Sequence, residues 1–271
     1  MTHDSCIFIP SDACEKLIFK SIWRIQRTYQ EPRIETILPK GTVELIFNFS
    51  SQIQYLPSNG RMPFALPSCF LNGVNFSPFR LIKEDHQDFL GVQLSQIGLK
   101  CVMDVCVQEF NDQVIDGALV CKSLLTLHEQ LIQAESFSTQ VEILRAWLRL
   151  KVLQSQHASR LKRINDLFSR SDYSLFSVNK LCTESGLSAR QLRRLSLDWL
   201  GMNTETFILY NKYLCALQLL HNSEKSLSQI GLESGYYDQP HFIREFKAFT
   251  GITPKTYQAA SKEIAGHIVG A

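Results

Sequence analysis

A duplicated segment near the end of the chain constrains the fold more than any other feature of the sequence. Residues correspond at an offset of 50 in the pairs Arg194 and Arg244, Gly201 and Gly251, and Phe207 and Tyr257. The tripeptide Glu-Ser-Gly that ends at Gly186 recurs at an offset of 49, ending at Gly235, so the turn of the second copy holds one extra residue. Each copy predicts a short helix, a turn at glycine and a second helix, which is the pattern of a helix-turn-helix. Two such units in tandem indicate binding to DNA.

Each copy carries the residues that this motif needs at its turn. Gly186 and Gly235 stand where the chain reverses, and glycine adopts positive φ without a steric penalty. Ser188 and Asp238 are the predicted N-caps of the second helices, because their side chains accept hydrogen bonds from free backbone amides. The preceding helix carries a small residue, Cys182 in the first copy and Gly231 in the second, where the two helices need to approach closely.

The second helix of each copy has one apolar and one polar face. The positions predicted to face inward are Leu192, Leu195 and Trp199 in the first copy and Phe242, Phe246 and Phe249 in the second. The predicted DNA-contacting side chains are Arg190, Arg193 and Arg194 in the first copy and Gln239, His241, Arg244 and Lys247 in the second. An α-helix fits the major groove of B-DNA, where Arg reads guanine and Gln reads adenine. An isolated arginine stripe would more simply be a solvated helix face, but the duplication favours DNA contact. For Gln239 and His241, the alternative to DNA contact is an ordinary exposed position near the helix cap.

The helix that joins the two units, predicted over 204–220, sets the distance between them. About 17 residues that rise about 1.5 Å each span roughly 25 Å. With the flanking helices, this length can place the two polar faces about 34 Å apart, which is one turn of DNA. One chain could then occupy two successive major grooves.

The first part of the chain predicts a β-rich domain with helices behind it. Segments 42–49, 69–74 and 89–94 are rich in Val, Ile, Leu and Phe and are separated by Pro, Gly, Asn and Ser, which favours a small barrel or sandwich. Helical spacing then follows at 141–152, a polar connection at 155–160 and another helix at 161–168. We therefore expect an α+β chain. Its N-terminal domain, 1–155, is a small β-barrel or cupin-like sensor or dimerisation domain with helices. Its C-terminal domain, 156–271, is all-α, with two helix-turn-helix units joined by a long helix.

Charge and cysteine usage narrow the class of protein. Residues 156–271 hold 14 Lys and Arg against 10 Asp and Glu, whereas residues 1–155 hold 14 against 16. The positive bias of the C-terminal part agrees with a polyanionic partner. The eight cysteines do not have the spacing of zinc ligands, and the sequence shows no signal-peptide pattern, so we expect a cytoplasmic protein. No apolar stretch approaches about 18 residues, so we expect no membrane contact. No pattern indicates a catalytic residue, a metal site or a cofactor, so the chain is not predicted to be an enzyme.

Segments 186–200 and 226–257 resemble the AraC/XylS family of transcription regulators. The second unit follows the family signature over 227–231, 235–247 and 251–254, and the resemblance covers about the last 105 residues. It implies that DNA-contact positions fall on Arg190, Arg193 and Arg194 in the first unit and on Gln239, His241 and Arg244 in the second. The N-terminal region more loosely resembles a barrel-plus-helix sensor domain of one family branch, in segments 40–48, 91–94 and 110–116.

Three positions depart from the family pattern. Ser196 stands where the family usually has Phe, so the first unit is expected to pack less tightly than the second. Lys212 replaces a common Arg in the joining helix. Pro240 lies inside the second recognition helix, where a first turn tolerates it although one backbone donor is lost.

The sequence thus predicts a sequence-specific transcription regulator, an activator because most relatives are. The expected partners are double-stranded promoter DNA and RNA polymerase, with a small-molecule effector or a second copy of the chain for the N-terminal domain. The alternative from another class is a DNA-tethered enzyme with a catalytic N-terminal barrel, which would need a Cys-rich zinc centre. A weaker alternative is a protein-interaction adaptor whose helix-turn-helix units no longer contact DNA. Glu44, Trp23 and His86 could line a pocket, but an ordinary structural role is favoured for each.

Overall fold

Two antiparallel sheets form the N-terminal half of the protein. The computed structural model describes residues 3–50, 53–57, 60–168, 177–260 and 264–269. Its strands are β1 (His3–Phe8), β2 (Phe19–Thr28), β3 (Arg33–Ile37), β4 (Val43–Asn48), β5 (Ile53–Leu56), β6 (Phe64–Ala65), β7 (Cys69–Asn72), β8 (Phe79–Lys83), β9 (His86–Leu94), β10 (Val114–Asp116) and β11 (His267–Val269). One sheet has the order β1-β2-β9-β4-β7-β10 and the other β11-β3-β8-β5-β6. Side chains from both sheets line one cavity between them. The predicted β-rich N-terminal domain is therefore confirmed.

Helices cover one side of the sheets and form the whole helix-turn-helix region. They are α1 (Ala13–Ile18), α2 (Gly98–Met103), α3 (Gly117–Val120), α4 (Ser123–Gln133), α5 (Phe137–Gln154), α6 (Leu161–Phe168), α7 (Val178–Ser185), α8 (Ala189–Leu200), α9 (Thr204–Asn222), α10 (Leu227–Glu233), α11 (Gln239–Thr250) and α12 (Pro254–Ala259). Short 3-10 turns lie at Val107–Phe110 and Ala158–Arg160. The latter falls in the segment predicted as a non-periodic connection.

Helix α5 follows the predicted apolar spacing and buries one face. Val141, Leu144 and Leu148 are buried, and they belong to one apolar core that continues into the helix-turn-helix region as far as Tyr257. This helix therefore packs against the chain's own core.

The joining helix α9 docks through two tyrosines on the loop between β3 and β4 and on the segment that follows β7. Tyr210 Oη donates to the Asn75 carbonyl at 2.7 Å and accepts from the Gly41 amide at 3.0 Å. Tyr213 Oη donates to the Pro39 carbonyl at 2.8 Å. Both rings are almost fully buried, so these bonds satisfy polar groups that water cannot reach.

The C-terminal segment ends in a strand that the sequence did not predict. Strand β11 pairs with β3, with His267 opposite Ile37, so the region expected to be all-α also contributes an edge to the N-terminal sheet. The Gly266 carbonyl accepts from the Leu38 amide at 2.7 Å, and the Gly266 amide donates to Tyr257 Oη at 3.0 Å. Three residues are too short to give a periodic signal, and the pairing is fixed only by the tertiary fold.

Candidate nucleic-acid interface

The first helix-turn-helix unit consists of α7, a glycine turn and α8. Gly186 has φ of +66° and ends α7 in the left-handed conformation. Ser188 then caps α8: its Oγ accepts from the Gln191 amide, and the Gln191 side chain accepts from the Ser188 amide. This capping box stabilises the start of the helix that carries the predicted arginines.

The three predicted arginines of α8 share one exposed face. Arg190, Arg193 and Arg194 are exposed, whereas Leu192 and Trp199 are fully buried and Leu195 is half-buried. The C-terminal end of α8 contacts the N-terminal region instead. There, Lys100 Nζ lies 2.7 Å from Asp198 Oδ1, and Asn111 Nδ2 donates to the Gly201 carbonyl at 2.7 Å. The arginine face is thus left open while the opposite end of α8 is fixed.

Ser196 is accommodated by a polar pair in the core. Its side chain is fully buried, and its Oγ lies 3.1 Å from Thr204 Oγ1. The corresponding residue of the second unit, Phe246, instead contacts the rings of Phe242, Tyr213 and Tyr257. Two hydroxyls therefore replace an aromatic cluster, in agreement with the predicted difference in packing between the units.

The second unit repeats the geometry in α10, the turn at Gly235 and α11. Gly235 has φ of +81°, and Asp238 caps α11 by accepting from the His241 amide at 2.8 Å. A Cβ atom on Gly231 would lie 3.2 Å from Phe242 Cβ, which confirms the close helix approach predicted there. Pro240 lies in the first turn of α11, where its missing amide costs no helical bond.

The four predicted residues of α11 differ in exposure. Arg244 has 73% of its side chain exposed, and Lys247 is also exposed. Gln239 and His241 are half-buried: Ser228 Oγ donates to Gln239 Oε1, and the His241 ring meets Tyr236 edge-on at 5.4 Å. These contacts hold the two shorter side chains in place.

Two residues near this face were missed from the sequence as site candidates. Tyr237, just before α11, is 91% exposed, and its position next to the N-cap is the only signal that pointed to it. Lys212, noted only as a departure, donates from Nζ to the Gly235 carbonyl at 2.7 Å. It therefore ties the joining helix to the turn of the second unit.

A cavity of about 340 Å³ lies between the two sheets. One wall holds a chain of polar contacts: Lys83 bonds to Glu35, Glu35 Oε1 lies 2.7 Å from His267 Nδ1, and His267 Nε2 lies 2.9 Å from Lys40 Nζ. Burial and the nearby Lys40 charge lower the pKa of His267, although Glu35 opposes the shift. Burial alone would raise the pKa of Glu35, but the His267 hydrogen bond and the Lys83 charge outweigh it and hold that pKa well below its usual range. The neutral His267 ring can therefore donate to Glu35 and accept from Lys40.

The floor of the cavity is the inner face of the six-stranded sheet. A polar row crosses four strands through the paired positions Ser21, Gln93, Glu44 and Asn72. The next row begins with Trp23, whose ring covers Gly91 so closely that a Cβ atom there would overlap it. Glu44 and Trp23 both line the cavity. This placement could not be predicted because cross-strand register cannot be read from local spacing. His86 lies exposed at the start of β9, outside the cavity.

The cysteines are unpaired in the structure. Within the described ranges, no cluster of three or more His, Cys, Asp or Glu side chains has the arrangement of a metal site. No helix among the described residues has the length and hydropathy needed to cross a bilayer.

Two family models match separate parts of the chain. A helix-turn-helix domain matches residues 181–260, and a domain of unknown function, DUF6597, matches residues 8–116. The first match contains every predicted DNA-contacting residue, and the second contains most of the strands that surround the cavity.

The curated relatives are transcription regulators. The chain is 26% identical over 135 residues to the HTH-type transcriptional regulator ExsA of Pseudomonas aeruginosa, covering 50% of this chain and 47% of ExsA. It is 31% identical over 83 residues to the HTH-type transcriptional activator RhaR of Escherichia coli K12, covering 31% and 29% of the two chains. This chain therefore matches about half or less of the length of these relatives, and they are regulators rather than enzymes.

Solved structures of similar proteins include ToxT of Vibrio cholerae, with 15% identity, a TM-score of 0.45 and coverage of 95% of this chain and 98% of that one. A transcriptional regulator of Chromobacterium violaceum with an AraC-type DNA-binding domain is 31% identical, with a TM-score of 0.33 and coverage of 37% of this chain and 90% of that one. The family models therefore identify residues 181–260 of this chain as a helix-turn-helix domain and residues 8–116 as a DUF6597 domain, and the curated relatives are HTH-type transcription regulators.

Proposed function

We propose that the chain is a sequence-specific DNA-binding transcription regulator that acts as an activator in the cytoplasm. The observation that carries this proposal is the pair of capped recognition helices, α8 and α11, each with an exposed basic face and a buried apolar face. The names of the curated relatives support the same class, since RhaR is a transcriptional activator. RNA polymerase is the partner that an activator needs at a promoter.

In this proposal, the two recognition helices enter successive major grooves of one duplex. Arg190, Arg193 and Arg194 contact one half-site, and Gln239, His241, Arg244 and Lys247 contact the other. The joining helix α9 has 19 residues, which corresponds to about 28 Å. With the widths of the flanking helices, this length suits half-sites one DNA turn apart. Arg244 and Lys247, the more exposed pair on α11, are suited to reach furthest into the groove.

We further propose a functional division into a sensor domain, 1–155, and a DNA-binding domain, 156–271. The cavity between the sheets would hold a small-molecule effector, and the exposed apolar residues Leu150 and Leu153 of α5 offer a surface for a second copy of the chain. Because β11 and α9 both contact the N-terminal region, an occupant of the cavity could alter the support of the recognition helices.

The DNA proposal is tested with the full chain and a random double-stranded library. Selection should enrich two half-sites centred about 10.5 base pairs apart. On the selected duplex, Arg194→Ala and Arg244→Ala should each cost about 1–3 kcal/mol and relax base preference at their own half-site. Arg80→Ala is the matched control, because Arg80 is an exposed arginine on β8, outside both units. A library without enrichment, or two recognition-helix variants that bind like the wild type, would refute the proposal. Run-off transcription from the selected site then tests activation.

A further inference from the structure

Among the residues that the structure describes, the buried carboxylate of Glu44 faces the cavity without a partner. The residue is 8% exposed and lines the cavity floor. In the part of the chain that the structure describes, its carboxylate makes neither a hydrogen bond nor an ion pair. A buried charge without a partner is costly, and native structures seldom keep one without a reason. A bound ligand that supplies the missing partner is such a reason.

The neighbours of Glu44 in the polar row have their acceptor atoms occupied. Gln93 Oε1 accepts from Ser21 Oγ at 3.4 Å, and Asn72 Oδ1 accepts from Asn75 Nδ2 at 3.0 Å. In this row the carboxylate of Glu44 is therefore available to accept a hydrogen bond from a ligand in the cavity. The side-chain NH₂ groups of Gln93 and Asn72, on either side of it, are available to donate one. This arrangement calls for a strong hydrogen-bond donor on the ligand.

The cationic side chains that line the cavity already have partners. Lys83 pairs with Glu35, Lys40 bonds to the His267 ring, and Arg27 also has an interaction of its own. None of these bonds involves Glu44. Within the row Ser21, Gln93, Glu44 and Asn72, the one charged side chain is that of Glu44. A ligand head group at this row therefore meets a negative charge, which favours a cation there.

Apolar and aromatic side chains continue the floor beyond the polar row. Trp23, Ile46 and Phe70 form the next row, and they lie beside the Ser21–Asn72 row on the same face of the sheet. Such a surface buries a hydrocarbon or ring-shaped body, and an indole face also attracts a nearby cation.

We propose that the cavity binds a small amphipathic amine, with its ammonium group on Glu44 and its apolar body against Trp23, Ile46 and Phe70. This inference rests on the proposed effector role of the cavity and assigns the chemical class of the effector.

The test is calorimetric titration of the full chain with three compounds that share one body: 4-phenylbutylamine, 4-phenylbutanol and 4-phenylbutyric acid. The amine should bind the wild type most tightly. Glu44→Gln should weaken amine binding by on the order of tenfold to a hundredfold, because a charge-assisted hydrogen bond is lost, and should leave alcohol binding nearly unchanged. Glu129→Gln is the matched control, since Glu129 is an exposed carboxylate on α4.

Two further measurements protect the test from a folding artefact. Ile46→Phe fills part of the cavity without changing its charge, so it should weaken the amine and the alcohol alike. Thermal melting without ligand should show Glu44→Gln at least as stable as the wild type, since the variant removes an unpaired buried charge. A large loss of stability would instead indicate that Glu44 has a structural partner, and the proposal would be wrong.

The remaining outcomes are equally decisive. Equal amine affinity in the wild type and Glu44→Gln, preference for the acid, or binding of none of the three compounds overturns the proposal. A gel shift run in parallel separates this inference from DNA binding, because Arg244→Ala should lose DNA affinity and still bind the amine like the wild type. Amine binding by a chain that selects no DNA would preserve the ligand site and reject the regulator.

Discussion

At the scale of single residues, the best-predicted features are those fixed by local chemistry. The caps Ser188 and Asp238 and the left-handed glycines 186 and 235 occupy the places that the sequence assigns to them, because capping and positive φ depend on a few neighbouring atoms. Exposure of the arginine stripe on α8 also followed from its spacing. The hydrogen-bond partner of Tyr213 and the cross-strand neighbours of Glu44 lie far away in sequence, and no local pattern specifies them.

Tyr213→Phe isolates one such long-range bond. The substitution keeps the ring and removes the hydroxyl that donates to the buried Pro39 carbonyl. We expect the free energy of unfolding to fall by about 1–3 kcal/mol, because the carbonyl is left without a donor. Urea unfolding followed by circular dichroism measures this change.

Tyr237→Phe is the matched control for that measurement. Its ring is 91% exposed, so stability should change by less than about 0.5 kcal/mol. Equal effects of the two substitutions would mean that α9 does not dock as described.

At the scale of elements, helices were predicted more accurately than strands. Helix α6 has the predicted bounds, and α8 and α11 begin directly after their predicted N-caps, Ser188 and Asp238. Strand β4 was located, yet its partners were not, because period-two alternation identifies a strand without giving its neighbours. The row through Glu44 depends on those neighbours, so the cavity could not have been predicted from the sequence.

Strand β11 should detach as the pH falls below neutrality. The folded state lowers the pKa of His267 from its ordinary 6.5, so the unfolded or detached segment binds a proton more readily. This contribution to stability is fully present above pH 6.5 and is lost as the pH falls towards the folded pKa. The lowered pKa of Glu35 acts in the same direction at still lower pH.

Hydrogen exchange measures this detachment at the Leu38 amide, which donates to the Gly266 carbonyl. After correction for intrinsic rates, its protection should fall between pH 7.5 and pH 5.5. His267→Gln cannot take up that proton and should show much weaker pH dependence in the same range. Undiminished protection of the wild type at pH 5.5 would contradict the assigned role of His267.

At the scale of the whole molecule, the two halves share one apolar core and several polar contacts. The pair Lys100–Asp198 and the bond from Asn111 to Gly201 fix α8 to the N-terminal region, and Tyr213 fixes α9. Sequence periodicity predicted the helices and strands of both halves. The contacts between the halves could not be predicted in this way, because they join residues about 90 to 230 positions apart. The two-domain division therefore stays a prediction about function.

The net positive charge of residues 156–271 should make DNA affinity depend strongly on salt. Lys and Arg side chains that neutralise phosphates release counterions, so the logarithm of affinity should fall linearly with the logarithm of salt concentration. Gel shifts between about 50 and 200 mM salt should show a loss of at least tenfold. Replacing a phosphate-contacting lysine should reduce the slope by about one, and an unchanged affinity over this range would contradict the predicted contacts.

Strand β11 also imposes an order on the assembly of the chain during translation. The N-terminal sheets cannot receive their last edge strand until residue 269 has been synthesised, after both helix-turn-helix units. During synthesis on the ribosome, one edge of β3 therefore stays unpaired, and an unpaired edge can form hydrogen bonds with a strand of another protein. A polypeptide stalled before residue 264 would leave the ribosome with this edge uncovered, and such truncated products should be the ones that aggregate and reach the cell's proteases first.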